Sequence, residues 1–102
     1  MIREIDTREL AKRIGRGEKL NLIDVRKPAE FNAGHVPGAV NIPLDTLAAA
    51  EIPAGPGPVI FICQAGVRSW KACEIAVARG LAEVFSVSDG TQGWIDNGRP
   101  CE

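Results

Sequence analysis

The residues Cys63-Gln64-Ala65-Gly66-Val67-Arg68-Ser69 carry the densest chemistry in the chain. The nucleophilic form of a cysteine is the thiolate, so whatever favours a charged sulfur decides whether Cys63 reacts. The run before it, Pro58-Val59-Ile60-Phe61-Ile62, is β-branched and aromatic and predicts a fully buried strand. The stretch after it, Ser69 to Arg79, mixes Ala, Lys and Glu with spaced apolar residues and predicts a helix. A sulfur placed between such a strand and a helix N-terminus, on a loop containing glycine, meets several sources of positive potential. Backbone N–H groups can converge on it, the helix dipole adds a partial charge, and Arg68 adds a full one. Settings of this kind lower a cysteine pKa from about 8.5 to roughly 3.5–7.5. Cys63 is therefore expected to be a nucleophile that ionises near neutral pH without a general base. The alternative is that Cys63 is a small apolar filler, as free cysteines often are. A filler would need neither Gly66 nor an arginine and a serine at the start of the next helix.

The elements that must position this loop follow from the rest of the pattern. Met1 to Ile5 predicts an edge strand, and Thr7 an N-cap for a helix with Leu10, Ala11 and Ile14 on one face, stopping near Gly15 and Gly17. Leu20 to Val25 predicts a buried strand, Pro28 to Ala33 a short helix opened by proline, Ala39 to Ile42 a brief strand and Leu44 to Ala50 a short helix. Glu51 to Pro58 holds three prolines and two glycines and is a connector, not a domain boundary. Val84 to Val87 predicts another strand, and Trp94 lies in a last short helix bounded by Gly98 and Pro100. This alternation predicts an α/β fold with a mainly parallel sheet covered by helices on both faces. Ligands in such sheets bind beyond the carboxyl ends of the strands, where Cys63 falls.

Size and composition bound the remaining possibilities. A chain of 102 residues is expected to be one domain, 1–102, with its own core. Apolar residues make up 45% and charged residues 25%, the balance of a soluble globular protein. A net charge of −1 gives no reason to expect nucleic acid or an anionic membrane as partner. No apolar stretch approaches the roughly 20 residues that span a bilayer. The start, Met1 to Asp6, has no apolar core of a secretory signal, and three cysteines do not form a disulfide framework. A reduced, cytoplasmic protein is the expectation.

Three motifs, in order, cover essentially the whole chain and resemble the rhodanese family. Asp24-Val25-Arg26-Lys27-Pro28-Ala29-Glu30-Phe31 with Gly34-His35-Val36-Pro37-Gly38-Ala39-Val40-Asn41-Ile42-Pro43-Leu44 is similar to that family's paired signatures. Cys63 to Ser69 resembles its active-site loop, and Asp89-Gly90-Thr91-Gln92-Gly93-Trp94 through Gly98-Arg99-Pro100 its C-terminal signature. Asp89-Gly90 departs from the two glycines common there, which concerns turn geometry and not chemistry. The resemblance implies a single-domain sulfurtransferase with five strands in a mainly parallel sheet. It implies that the Cys63 thiolate attacks the outer sulfur of a donor such as thiosulfate and becomes a persulfide. The N–H groups of Gln64, Ala65, Gly66, Val67, Arg68 and Ser69 would cradle the charged sulfur, and Arg68 would attract the anionic donor. Cyanide or a thiol would then remove the outer sulfur in a ping-pong sequence, with no metal or organic cofactor. A persulfidated protein also fits as donor or acceptor.

Two other classes compete with this reading. Cysteine phosphatases and arsenate reductases also set a Cys…Arg loop between strand and helix, but with a loop one residue longer. Only Gln64, Ala65, Gly66 and Val67 separate Cys63 from Arg68, and a contracted ring of amides disfavours a tetrahedral oxyanion. A non-catalytic interaction or sulfur-carrier module is the second alternative, although such modules usually lack the loop cysteine. A Cys–His protease has no support, because His35 is the single histidine and sits in a glycine- and proline-bounded turn. For the same reason no metal-ligand spacing joins it to Cys73 and Cys101. The other marked residues are expected to be structural. Asp24 and Arg26 would brace loops, with Arg26 pairing Glu30; Ser69 would cap its helix or bond the bound sulfur; Trp94 would anchor the core. Cys73 is expected to be buried, Cys101 exposed, and a Cys63–Cys73 bond strained.

Overall fold

A computed structural model describes all residues from Met1 to Glu102. Five short strands form one sheet, β1 (Ile2–Ile5), β2 (Asn21–Asp24), β3 (Val40–Asn41), β4 (Val59–Ile62) and β5 (Val84–Val87), of which β4 and β5 are the runs rich in β-branched and aromatic residues. The strand order is β1-β5-β4-β2-β3, and every pairing is parallel, beyond the "mainly parallel" of the sequence pattern. Four helices join them: α1 (Thr7–Gly15), α2 (Pro28–Asn32), α3 (Val67–Ala78) and α4 (Gly90–Asp96).

Alternation along the strands sends side chains to two separate cores. On one face Ile23, Val25, Val59, Phe61, Cys63 and Val84 pack with Leu47 and with Ala72, Cys73 and Ala76 of α3. On the other, Leu22, Ile60, Ile62, Phe85 and Val87 pack with Leu10 of α1 and Trp94 of α4. Trp94 is an anchor as expected: it is buried, its indole N–H donates to the Pro100 carbonyl at 2.9 Å, and the Arg99 guanidinium covers its ring. The central strand β4 is buried at every position and ends one residue before Cys63, which brings the loop to the carboxyl end of the sheet.

Three local expectations change. Asp6, not Thr7, caps α1, accepting from the Glu9 N–H at 2.9 Å. Thr7 is instead fully buried and gives its N–H and hydroxyl to the two carboxylate oxygens of Asp89, at 2.8 and 2.6 Å. Leu44–Thr46 forms one 3₁₀ turn followed by turns, and no α-helix extends to Ala50. The helix after the loop starts at Val67, two residues before Ser69. Arg68 and Ser69 therefore stand inside its first turn, where their side chains are aimed by helical geometry.

Candidate active site

In the loop from Cys63 to Gly66 the carbonyls of Cys63 and Gln64 turn towards α4, while the N–H groups of Ala65 and Gly66 turn towards the Cys63 sulfur. The N-terminal turn of α4 takes the carbonyls. Thr91 donates to the Cys63 oxygen through its N–H at 2.9 Å and its hydroxyl at 3.1 Å, and the Gln92 N–H donates to the Gln64 oxygen at 3.1 Å. Gly90 permits this approach: it has φ +60°, and a Cβ there would sit 2.7 Å from the Cys63 carbonyl oxygen. Gly66 makes the turn into α3 with φ +96°, a left-handed conformation that side chains rarely adopt, and a Cβ would run into the Ser88 carbonyl. These two glycines are required by contact as well as by backbone angle.

Cys63 follows Val59 and Phe61 in alternation and faces the α3 side of the sheet. The residue is only 1% exposed and touches the hydrocarbon core, yet its sulfur has polar partners. The Gly66 N–H donates to Sγ at 3.1 Å, and Ser69 Oγ lies 3.5 Å from it. Burial pushes the Cys63 thiol up. The Ser69 hydroxyl and the N–H groups of Ser69, Ala65 and Gly66 oppose burial and outweigh it, so the net displacement is downward. Cys73, on the same core face but without such donors, is pushed by burial up to about 12. Cys73 also faces the Glu74 charge, and it is the donors of the loop that turn the displacement of Cys63 downward despite its burial.

The charged groups differ from expectation. Arg26 does not pair with Glu30. It turns back to Asp24 in a fully buried fork, with Nε 3.0 Å from Oδ1 and Nη2 2.8 Å from Oδ2. Its remaining donors reach the Gly34 carbonyl at 2.8 Å and Gln64 Oε1 at 3.3 Å. Glu30 binds Arg68 instead, through parallel contacts of 2.7 and 3.0 Å. The reason is geometric: a single residue, Val25, separates Asp24 from Arg26 along the chain, and Arg68 projects from the first turn of α3 towards α2. Arg68 therefore spends its charge on a partly exposed carboxylate, with which any anionic donor must compete. Gln64 is clamped between Arg26 and Gln92, whereas Ala65 and Val67 leave their side chains in solvent. Only the backbone of these last two can serve the sulfur. Next to the loop, Val25, Lys27, Pro43, Leu44, Asp45 and Arg68 line a cleft of about 260 Å³. Val25 and Leu44 also pack in the core cluster that contains Cys63, so this cleft adjoins the sulfur without including it.

The Glu30–Arg68 pair has a pH signature. Hydrogen bonds from Arg68 hold the Glu30 carboxyl at about 2, against a smaller upward push from burial and with help from the Lys27 N–H. A carboxyl lowered on folding contributes stability fully above its unfolded value and loses it as pH falls through the folded one. The melting-temperature gap between the native protein and Glu30→Gln should be open above pH ~5 and close on acidification towards pH ~2. Both side chains are about a third exposed, so screening keeps the gap small. A gap that widened on acidification would contradict the pairing.

His35, as expected of a structural turn, stacks on Phe31 with ring centroids 3.7 Å apart, and its backbone exchanges hydrogen bonds with Glu102. All three cysteines are free; Cys73 is buried and Cys101 exposed. No cluster of three or more His, Cys, Asp or Glu side chains is arranged to hold a metal ion, and no helix is long and apolar enough to cross a membrane. Gly90 and Thr91 of the C-terminal signature serve the loop as its clamp and Glu30 as the partner of Arg68, roles the sequence did not assign them, and Ser86, not singled out by the sequence pattern, places its hydroxyl 2.7 Å from that of Ser69.

Comparison with known proteins agrees with this geometry. The family model described as "Rhodanese-like domain" matches residues 6–97. A sulfurtransferase of Allochromatium vinosum is 33% identical over 98% of this chain and 94% of its own. Among solved structures, a rhodanese-related protein of Thermoplasma volcanium superposes with a TM-score of 0.84 at 32% identity, covering 98% of this chain and 97% of the other. A protein of unknown function from Rhodopseudomonas palustris, called a possible tyrosine phosphatase, superposes with a TM-score of 0.88 at 26% identity, covering 99% and 85%. The fold and the relatives named sulfurtransferases support a sulfur-transfer role.

Proposed function

Because the chain belongs to the rhodanese-like domain family, we propose that it is a sulfurtransferase acting through a persulfide on Cys63. The observation that carries this reading is the Cys63 sulfur, buried yet met by the Gly66 N–H at 3.1 Å and displaced towards the thiolate. With thiosulfate as donor, the thiolate attacks the outer sulfur. A Cys63 S–S bond forms, the donor's S–S bond breaks, and sulfite leaves with the bonding electron pair. The product carries its negative charge on the terminal sulfur, which the N–H groups of the loop stabilise in turn. Cyanide or a thiolate then attacks that terminal sulfur and returns Cys63 as the thiolate. A persulfide, a polysulfide or a persulfidated protein fits the same first step. No residue of the site calls for a cofactor.

Arg68 is paired with Glu30 and acts on the Cys63 sulfur through its charge, and a donor anion competes with that carboxylate. The same pairing weighs against the phosphatase reading. An arginine already forked onto Glu30 is not free to fork onto phosphate, and the loop is short. Three free thiols accord with a reducing, cytoplasmic location.

The test is incubation with thiosulfate and, in parallel, with a persulfide donor, followed by intact mass and cyanide. A gain of one sulfur on Cys63 and release of thiocyanate supports the reading. Hydrolysis of an aryl phosphate supports the phosphatase, and neither activity in a folded protein supports a binding module.

A further inference from the structure

We propose that Ser86 is a positioning residue for the nucleophile, donating its proton to Ser69 Oγ and so leaving the Ser69 proton free to turn towards the Cys63 sulfur. The inference rests on Cys63 being the reacting thiolate of the proposed sulfurtransferase. Ser86 stands in the middle of β5, between Phe85 and Val87, paired in register with Phe61 of β4. Alternation puts it on the α3 face beside Val84, and it is fully buried. A hydroxyl there replaces hydrocarbon in a strand otherwise made of Val and Phe. Its single hydrogen-bond partner is Ser69 Oγ at 2.7 Å.

Counting protons sets the direction of that bond. If Ser69 donated to Ser86, the Ser86 proton would have no acceptor in a buried site, an arrangement that folded proteins avoid. Ser86 is therefore the donor. The Ser69 proton then has two acceptors within reach, the Gly66 carbonyl at 3.1 Å and the Cys63 sulfur at 3.5 Å. While Cys63 is a thiol, its S–H points at Ser69 Oγ and Ser69 donates to Gly66. When Cys63 is a thiolate, the Ser69 proton rotates to the sulfur, and the Gly66 carbonyl keeps the Trp70 N–H at 3.3 Å. Ser86 donates in both states and prevents Ser69 from turning away.

Other charged or titratable groups stand on the elements packed around the loop. They are Arg68 with Glu30 of α2, the Asp24–Arg26 fork after β2, Cys73 of α3, and Asp89 between β5 and α4, bound by Thr7. A comparison made with and without Ser69 cancels their contribution.

The experiment is a pH titration of thiolate ultraviolet absorbance, taken as the difference from Cys63→Ser and requiring no sulfur donor. Ser86→Ala should raise the midpoint by about half a pH unit, a roughly threefold smaller thiolate fraction below the midpoint. Ser69→Ala should raise it further, and adding Ser86→Ala to Ser69→Ala should move it no more. The near-isosteric pair Ser86→Thr and Ser86→Val controls for packing: the threonine should keep the native midpoint and the valine should not. An unmoved midpoint in Ser86→Ala, or an equal shift in the Ser69→Ala background, overturns the assignment. Failure of the protein to accept sulfur would show in the donor assay and leave this titration interpretable.

Discussion

Cys63→Ser is expected to abolish persulfide formation and to lower thiocyanate production by about a thousandfold or more, with unchanged circular dichroism and melting temperature within a few degrees. The size of the effect follows from the chemistry. A serine oxygen cannot hold the transferred atom as a sulfane sulfur, and a hydroxyl is far harder to ionise than a thiol. The amide ring would remain intact, because its shape comes from the left-handed turn at Gly66, the close approach at Gly90 and the carbonyl contacts to Thr91 and Gln92, and the serine oxygen can still accept from the Gly66 N–H. Residual turnover near the native rate in the folded variant would remove Cys63 from its role, and with it the proposed mechanism.

Asp24→Asn should produce the largest loss of stability of any single charge change. Asp24 is fully buried and Arg26 only 4% exposed, and the two are joined by a forked contact. The asparagine side chain keeps one oxygen but surrenders the charge and half of the fork, which strands a guanidinium in the interior. Removing one partner of a buried pair costs about 3–5 kcal/mol. At about 4–8 °C per kcal/mol in a domain of this size, the melting temperature should fall by at least about 12 °C. Activity should suffer as well, because Arg26 also holds the Gly34 carbonyl and Gln64 of the active loop. Replacing both partners with apolar residues, Asp24→Leu with Arg26→Met, should destabilise less than Asp24→Asn alone, since no charge is then left unpaired. Thermal melts of the three proteins decide the matter. A single variant as stable as the native protein would mean that the pair is hydrated and not buried.

These two sites were legible to different degrees. Cys63, Gly66 and Ser69 stood out because a nucleophile, a turn residue and a hydroxyl lay within one short run. Asp24 and Arg26 were expected to brace loops, and they do, but the partner assigned to Arg26 was wrong. Glu30 lies on the next helix, four residues after Arg26, which suggests a local pair. Arg26 precedes that helix, and Asp24 outcompetes Glu30 by meeting its guanidinium inside the core. Arg68 then takes Glu30 across 38 residues of sequence, a match that no local pattern encodes. Thr7 was displaced from its capping role for a similar reason: Asp89, 82 residues away, claims both its N–H and its hydroxyl.

What the amino-acid order determined by itself is what depends on near neighbours. The buried strands, the flanking helices, the parallel α/β class and the strand–loop–helix setting of Cys63 follow from periodicity, turn residues and one short motif. What only the tertiary structure decided is where each polar group finds its partner. The fork of Asp24 on Arg26, the capture of Arg68 by Glu30 and the contact of Ser86 with Ser69 depend on which strands lie side by side. The physical reason is range. Backbone and periodicity effects act over a few residues, whereas a hydrogen bond forms only once folding brings two distant groups within about 3 Å.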